Sequence, residues 1–136
     1  WLSTLLKTNY DKESKTFCSL LGISYYLSKS EFENMISKIS DITCEGSTLL
    51  FDFQTNEESI KTKINEQLAL GANERMKAKY SYQEIETILS LNGFKIYESL
   101  NDSDITNEFF YNYNTLNPNN QIIAPKGVCY LLAVKK

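Results

Sequence analysis

The sequence contains no histidine, a single arginine (Arg75) and only two prolines in 136 residues. Without histidine, neither a Ser-His-Asp nor a Cys-His arrangement can be completed within the chain, so imidazole-driven nucleophilic chemistry is excluded for it. Specific phosphate and base readout leans on the arginine fork and on clustered positive charge. With one arginine and a net charge of -3, nucleic acid is not an expected partner. A small or weakly charged partner fits better. Cysteine is also sparse: Cys18, Cys44 and Cys129 are an odd number at wide spacing in apolar or strand-like stretches. Neither a disulfide framework nor a zinc site is expected from them. Long apolar runs are missing too. The longest, such as Val128 to Val134, falls far short of the roughly 20 residues that cross a bilayer, and no basic-then-apolar leader is present. The expectation is a cytoplasmic protein with no membrane partner.

What is there is ordinary for a globular domain. A length of 136 residues suits one domain, and 42% hydrophobic with 23% charged residues rules out disorder and collagen-like structure. The chain opens at Trp1 with Trp-Leu-Ser-Thr-Leu-Leu and no initiator methionine. That reads as a fragment or a proteolytic product, the plainer alternative being a tag remnant.

Trp1 to Lys7 reads as the end of a helix and Thr8 to Lys15 as a polar connection. Thr16 to Tyr26 is a nearly uninterrupted run of apolar and small residues, which suits a strand covered on both faces that ends near Leu21 and turns at Gly22. Ser28-Lys29-Ser30-Glu31 is a capping box, in which serine and glutamate satisfy each other's unpaired backbone donors at a helix start. Phe32, Met35, Ile36 and Ile39 then repeat at helical spacing, predicting a helix from about Lys29 to Ile39. Glu45-Gly46-Ser47 is a turn, and Thr48 to Phe53 a second buried strand. Strand, capped helix and strand make a βαβ unit with a right-handed crossover.

Ile60, Ile64 and Leu68 draw a thin stripe on a polar helix from about Glu57 to Leu70, stopped by Gly71-Ala72-Asn73. A second capping box, Ser81-Tyr82-Gln83-Glu84, opens a helix with Ile85, Ile88 and Leu89 inward and Gly93 as its stop. Phe94, Ile96 and Leu100 follow at strand spacing. Asp104 can cap a short aromatic helix through Phe109, Phe110 and Tyr113. Turns at Asn117-Pro118-Asn119-Asn120 and Ala124-Pro125-Lys126-Gly127 then lead to a terminal strand, Val128 to Val134.

Two blocks in this order carry a resemblance. The first is Phe17-Cys18-Ser19-Leu20-Leu21-Gly22-Ile23-Ser24-Tyr25-Tyr26-Leu27, a helix, and Gly46-Ser47-Thr48-Leu49-Leu50-Phe51-Asp52-Phe53. The second joins Tyr80-Ser81-Tyr82-Gln83-Glu84, Gly93-Phe94-Lys95-Ile96-Tyr97-Glu98, Phe109-Phe110-Tyr111-Asn112-Tyr113-Asn114 and the terminal Tyr130-Leu131-Leu132-Ala133-Val134-Lys135-Lys136. Together they resemble the leucine carboxyl methyltransferase family of class I S-adenosylmethionine-dependent O-methyltransferases, in its bacterial, polyketide O-methyltransferase-like members. The resemblance implies an α/β fold: the C-terminal half of a Rossmann-like sheet, strands four to seven, with the last strand antiparallel between its neighbours. An apolar terminal strand without a polar face independently suits a place inside a sheet. No Gly-x-Gly loop with an acidic residue about 20 positions later is present, the pattern that holds such a cofactor in this class. S-adenosylmethionine would therefore be bound mainly by residues outside this chain.

The resemblance also implies site residues. Leu21, Gly22, Ser24 and Tyr25 would wall the cofactor, with Leu21 standing where the family has glutamate; equally, Leu20 to Ile23 reads as sheet core with a glycine turn. Tyr26, Asp52 and Phe53, with Gln54, would face the acceptor, while Phe110 and Tyr113, with Phe109 and Tyr111, would cap it and exclude water. Plain packing explains Tyr26 and the aromatic helix as well, and a solvated strand end explains Asp52. Arg75 could clamp an acceptor carboxylate or form a surface ion pair. Lys61, Lys63, Lys77 and Lys79 read as solvated. Methyl transfer to oxygen mainly needs alignment and dryness, and a carboxylate acceptor, already ionised, needs no base. Two functions follow: part of an O-methyltransferase acting on a small-molecule or C-terminal carboxylate or on a hydroxyl, the isolated chain being inactive; or a fold-retaining module that associates without catalysis. Either way the Thr16 to Leu21 strand would expose an apolar edge, and a homodimer through that edge is expected.

Overall fold

Both serine capping boxes form. Ser28 accepts from the Glu31 N–H while the Glu31 carboxylate accepts from the Ser28 N–H, and Ser81 with Glu84 repeats the arrangement. These caps set the starts of the two helices that cover one face of the sheet. The computed structural model describes residues 1–56, 67, 71 and 76–136. In chain order they form α1 (Leu2–Leu5), β1 (Phe17–Leu20), a 3-10 turn (Ser24–Tyr26), α2 (Lys29–Ile42), β2 (Thr48–Gln54), α3 (Tyr82–Leu91), β3 (Phe94–Leu100), α4 (Asp102–Phe109), α5 (Tyr111–Leu116) and β4 (Val128–Lys135). The helix expected over 57–70 with its Ile60, Ile64 and Leu68 stripe, its stop at residues 71–73, and Lys61, Lys63 and Arg75 lie essentially outside the described residues.

The four strands make one sheet in the order β1-β2-β4-β3. β1 and β2 are parallel, with Phe17 opposite Thr48 and Leu20 opposite Phe51, so the βαβ unit is as expected. β4 inserts antiparallel between β2 and β3, as the expected arrangement has it. The β3–β4 ladder slips by one residue between Ile96 and Glu98. That leaves Tyr97 as the extra residue of a β-bulge and throws its ring into solvent. Gly93 takes a positive φ of 75° where α3 turns into β3, and a Cβ there would stand 2.9 Å from Lys135 Nζ. That ammonium is tied to Ser40 Oγ and to the Asn92 carbonyl at 3.0 Å, pinning the amino-terminal edge of the sheet.

The core lies between the sheet and the α2–α3 layer. Phe32, Ile36, Ile39, Ile85 and Leu89 from the helices meet Leu49, Phe51, Phe53, Phe94, Leu131 and Ala133 from the strands. Phe32, Phe51, Phe53 and Tyr80 form a contiguous aromatic set with ring centroids 5.4 to 6.4 Å apart. Each such side chain stabilises the fold by about 1.5–3 kcal/mol through the apolar surface it removes from water.

Three expectations need correction. β1 is not covered on both faces: Phe17 is 62% exposed and Ser19 is also exposed, so among the described residues nothing covers the face that these two side chains share. The helix after Ser28 runs three residues further, to Ile42, whose side chain continues the buried stripe. The aromatic helix is two helices broken at Phe110; Asn101 caps the first, with Asp104 reaching back as the acid of the box. Among the described residues no helix is long and apolar enough to cross a membrane.

Candidate functional site

Because β1 and β2 are parallel, their carboxyl ends open side by side, and in open α/β sheets that edge is where ligands bind. The register carries Asp52, one residue past the Leu20–Phe51 pair, level with the loop that leaves β1. Asp52 is 6% exposed, and a carboxylate removed from water is tolerated only with donors on its oxygens. Both oxygens have one. The Gly22 N–H donates to Oδ1 at 2.7 Å, and the Tyr25 hydroxyl donates to Oδ2. The buried Ser24 hydroxyl adds a bond to the Asp52 backbone carbonyl at 2.6 Å. Gly22 makes this possible with a φ of 71°, a turn that aims its N–H back at the neighbouring strand. Burial first, and the bond to Asp52 second, push the Tyr25 phenol far above the usual tyrosine range, so it stays a proton donor.

A strap closes the same edge. The Lys77 N–H donates to the Tyr25 carbonyl at 2.7 Å and the Tyr80 N–H to the Gln54 carbonyl at 2.9 Å, so residues 77–80 run from the β1 loop to the end of β2. The Thr55 N–H continues to the Gly127 carbonyl at 2.8 Å, tying in the entry to β4. Gln54 is buried, its Oε1 has no hydrogen-bond partner among the described residues, and with Met76 to Lys79 it lines a pocket of about 270 Å³. Lys77 is exposed, as expected, and its ammonium stands 3.5 Å from the Glu31 carboxylate in a surface ion pair.

The candidate residues separate into groups. Gly22, Ser24, Tyr25 and Asp52, assigned by resemblance to different ligands, converge on one hydrogen-bonded cluster. Leu21 stands at its margin, 49% exposed. Tyr26 packs its ring edge-on to Tyr25, with centroids 6.3 Å apart. Phe53 faces the other way, into the core against Phe51 and Tyr80, so its side chain is a packing element. Phe110 lines an apolar pocket of about 390 Å³ on the far face of the sheet, whereas Tyr113 is exposed and lies outside its walls. Phe109 and Tyr111 are exposed as well, so the aromatics form no buried cluster.

Tyr130 was not legible in the sequence as a site residue. It pairs with Asp52 across β2 and β4, lines the apolar pocket and bears electrostatically on Tyr25. A tyrosine at the third position of an otherwise apolar terminal strand was its only local signal.

No protein-family model matches the chain. It is 35% identical over 131 residues, 92% of its length, to "Putative S-adenosyl-L-methionine-dependent methyltransferase YktD" of Bacillus subtilis (strain 168), and spans 41% of that relative's length. A DUF574 family protein from Streptomyces avermitilis superposes on 99% of the chain and over 52% of its own, with a TM-score of 0.71 at 12% identity. Magnesium protoporphyrin IX methyltransferase from Synechocystis PCC 6803, solved with bound SAH, superposes on 94% of the chain and 48% of its own, with a TM-score of 0.54 at 14% identity. With its strand order, its antiparallel β4 and these neighbours, the chain has a mixed α/β fold, a four-stranded open sheet with flanking helices, that matches methyltransferase-fold structures over about half of their length.

Proposed function

We propose that the protein carrying this chain is an S-adenosylmethionine-dependent O-methyltransferase of the leucine carboxyl methyltransferase type. In this reading the chain supplies half the sheet, one wall of the cofactor site and the acceptor wall, and does not turn over by itself. The observation that carries the reading is the Gly22–Asp52–Tyr25 cluster, a buried carboxylate with one donor on each oxygen at the ligand-binding edge of the sheet. The similarity to a methyltransferase-named relative at 35% identity supports the reaction class.

The residues present fit one wall of a cofactor site. A Cβ at Gly22 would meet nothing within 4 Å, so the turn is open on that side, and Leu21 and Ile23 flank it with exposed apolar side chains. Leu21 and Gly22 would form that wall, while Ser24 and Tyr25 hold the turn in shape through Asp52. When bound, the cofactor supplies a methyl group on a sulfonium, a leaving group already activated. The chain's part is to align and dry the acceptor. Tyr25 keeps its proton, and Asp52 retains lone pairs able to accept from an acceptor hydroxyl.

Calorimetric titration of the full-length protein with S-adenosylhomocysteine tests the reading. Binding is expected, tightened by Leu21→Glu, which restores the family's carboxylate. A flat titration of both forms at high ligand concentration would sink it.

A further inference from the structure

The connection from β3 to β4 carries an uncharged stretch in an otherwise well-charged chain. From Phe109 to Pro125 there is no charged residue, in a sequence that is 23% charged, while Asp102, Asp104 and Glu108 precede the stretch and Lys126 follows it. Its large apolar side chains face water: Phe109, Tyr111, Tyr113, Leu116, Ile122 and Ile123 are 40% to 81% exposed. The backbone beneath them is held in place. The Asn114 carboxamide donates to the Ile122 carbonyl at 2.8 Å and accepts from the Ile122 N–H at 2.7 Å, which lays Ile122 beside α5. The Ala124 N–H donates to Thr106 Oγ1 at 3.0 Å, tying the same stretch to α4. The six side chains therefore stand on one braced unit, not on a loose loop.

Exposed apolar side chains are ordinary when scattered singly, whereas a braced group of them marks an interface. At roughly 150–250 Å² for a side chain of this size, the six leave on the order of 600 Å² open to water, most of the roughly 800 Å² that each partner brings to a standard interface. The composition is that of an interface centre, aromatic and aliphatic with charge only at the rim. The missing charge also bears on which partner fits. Across a twofold axis a surface meets its own copy, and every charge on it is set near its own kind, so a patch that faces itself does best without charges. A partner recognised by charge complementarity finds no ionic group to hold between Phe109 and Pro125. We propose that two copies of the protein associate through the face formed by residues 109–123, α5 against α5, across a twofold axis. The face lies on the β3–β4 connection and not at the Leu21–Gly22 turn, so the dimer stands or falls independently of cofactor binding.

Sedimentation velocity of the full-length protein over a concentration series tests this. A reversible dimer is expected. Leu116→Glu and Ile123→Glu, at positions 81% and 60% exposed, each set a carboxylate against its own copy and remove an apolar contact, and should raise the dissociation constant at least about ten-fold. Leu91→Glu, at a position 75% exposed on α3, should leave association unchanged. Urea midpoints of the three variants should match that of the unsubstituted protein at concentrations where it is monomeric. A protein that stays monomeric at its highest soluble concentration overturns the proposal. So does a dimer that ignores both Leu116→Glu and Ile123→Glu, the result expected if pairing runs through β1 instead, and so does equal weakening by Leu91→Glu. A monomer whose urea midpoint falls with Leu116→Glu places the patch under another part of its own polypeptide, which overturns the proposal as well.

Discussion

The bond between Tyr25 and Asp52 offers a quantitative check on the site. Hydrogen bonds to charged groups contribute about 1.5–3 kcal/mol each, and Asp52 is buried enough that water cannot readily replace a lost donor. Tyr25→Phe keeps the ring and removes the hydroxyl, leaving Oδ2 short of a donor, and should cost about 1.5–3 kcal/mol. Asp52→Asn keeps one acceptor oxygen for the Gly22 N–H but turns an amide donor toward the Tyr25 hydroxyl, and should cost about 2–3 kcal/mol. In the double variant the shared bond is already gone, so the sum of the single losses should exceed the double loss by about 1–2 kcal/mol. Urea unfolding followed by circular dichroism measures this as midpoint shifts at constant m. Additivity within about 0.5 kcal/mol would refute the reasoning, since it would mean that the two groups do not share an interaction in the folded chain.

The same pair makes stability pH-dependent at the alkaline end. Tyr25 in the folded state holds its proton above the ordinary value of 10.0, and Tyr80, buried in the core and near Glu84, is raised to about 12. Their contribution is full below pH 10 and is lost as pH rises beyond it, with Tyr25→Phe flattening the decline measured by urea midpoints. Phe51→Ala empties the centre of the aromatic set and should cost about 3–5 kcal/mol, read from the same unfolding curves. Gly22→Ala has room for its methyl group but must adopt a φ of 71°, so a loss of about 1 kcal/mol is expected with the Tyr25–Asp52 coupling retained. β1 pairs on one side only among the described residues, so the chain is expected to self-associate, and Ser19→Lys on that strand should shift sedimentation toward monomer.

Local chemistry by itself determined the parts of this protein that depend on neighbours in sequence. The Ser28–Glu31 and Ser81–Glu84 boxes placed two helix starts, apolar periodicity placed α2 and α3, a β-branched and aromatic run after Gly46 placed β2, and Gly93 marked the turn into β3. Each is a contact within a few residues, so the sequence spells it out. The ordering of β4 between β2 and β3 was legible through resemblance and through its unbroken apolar character, because such a strand has to be flanked. Where elements end was less legible: α2 continued to Ile42, and the aromatic helix broke at Phe110 under an Asn101 cap.

Only the tertiary structure decided which residues share a site. Asp52 and Tyr25 lie 27 residues apart and meet because two parallel strands end level. Phe53, the next residue, points into the core because the strand alternates, and Tyr130 joins the site from the far end of the chain because β4 runs antiparallel against β2. Exposure was decided there too. An apolar run such as Thr16 to Leu21 fixes a strand, but whether its faces are covered depends on what packs over them, and among the described residues nothing covers the face of Phe17 and Ser19.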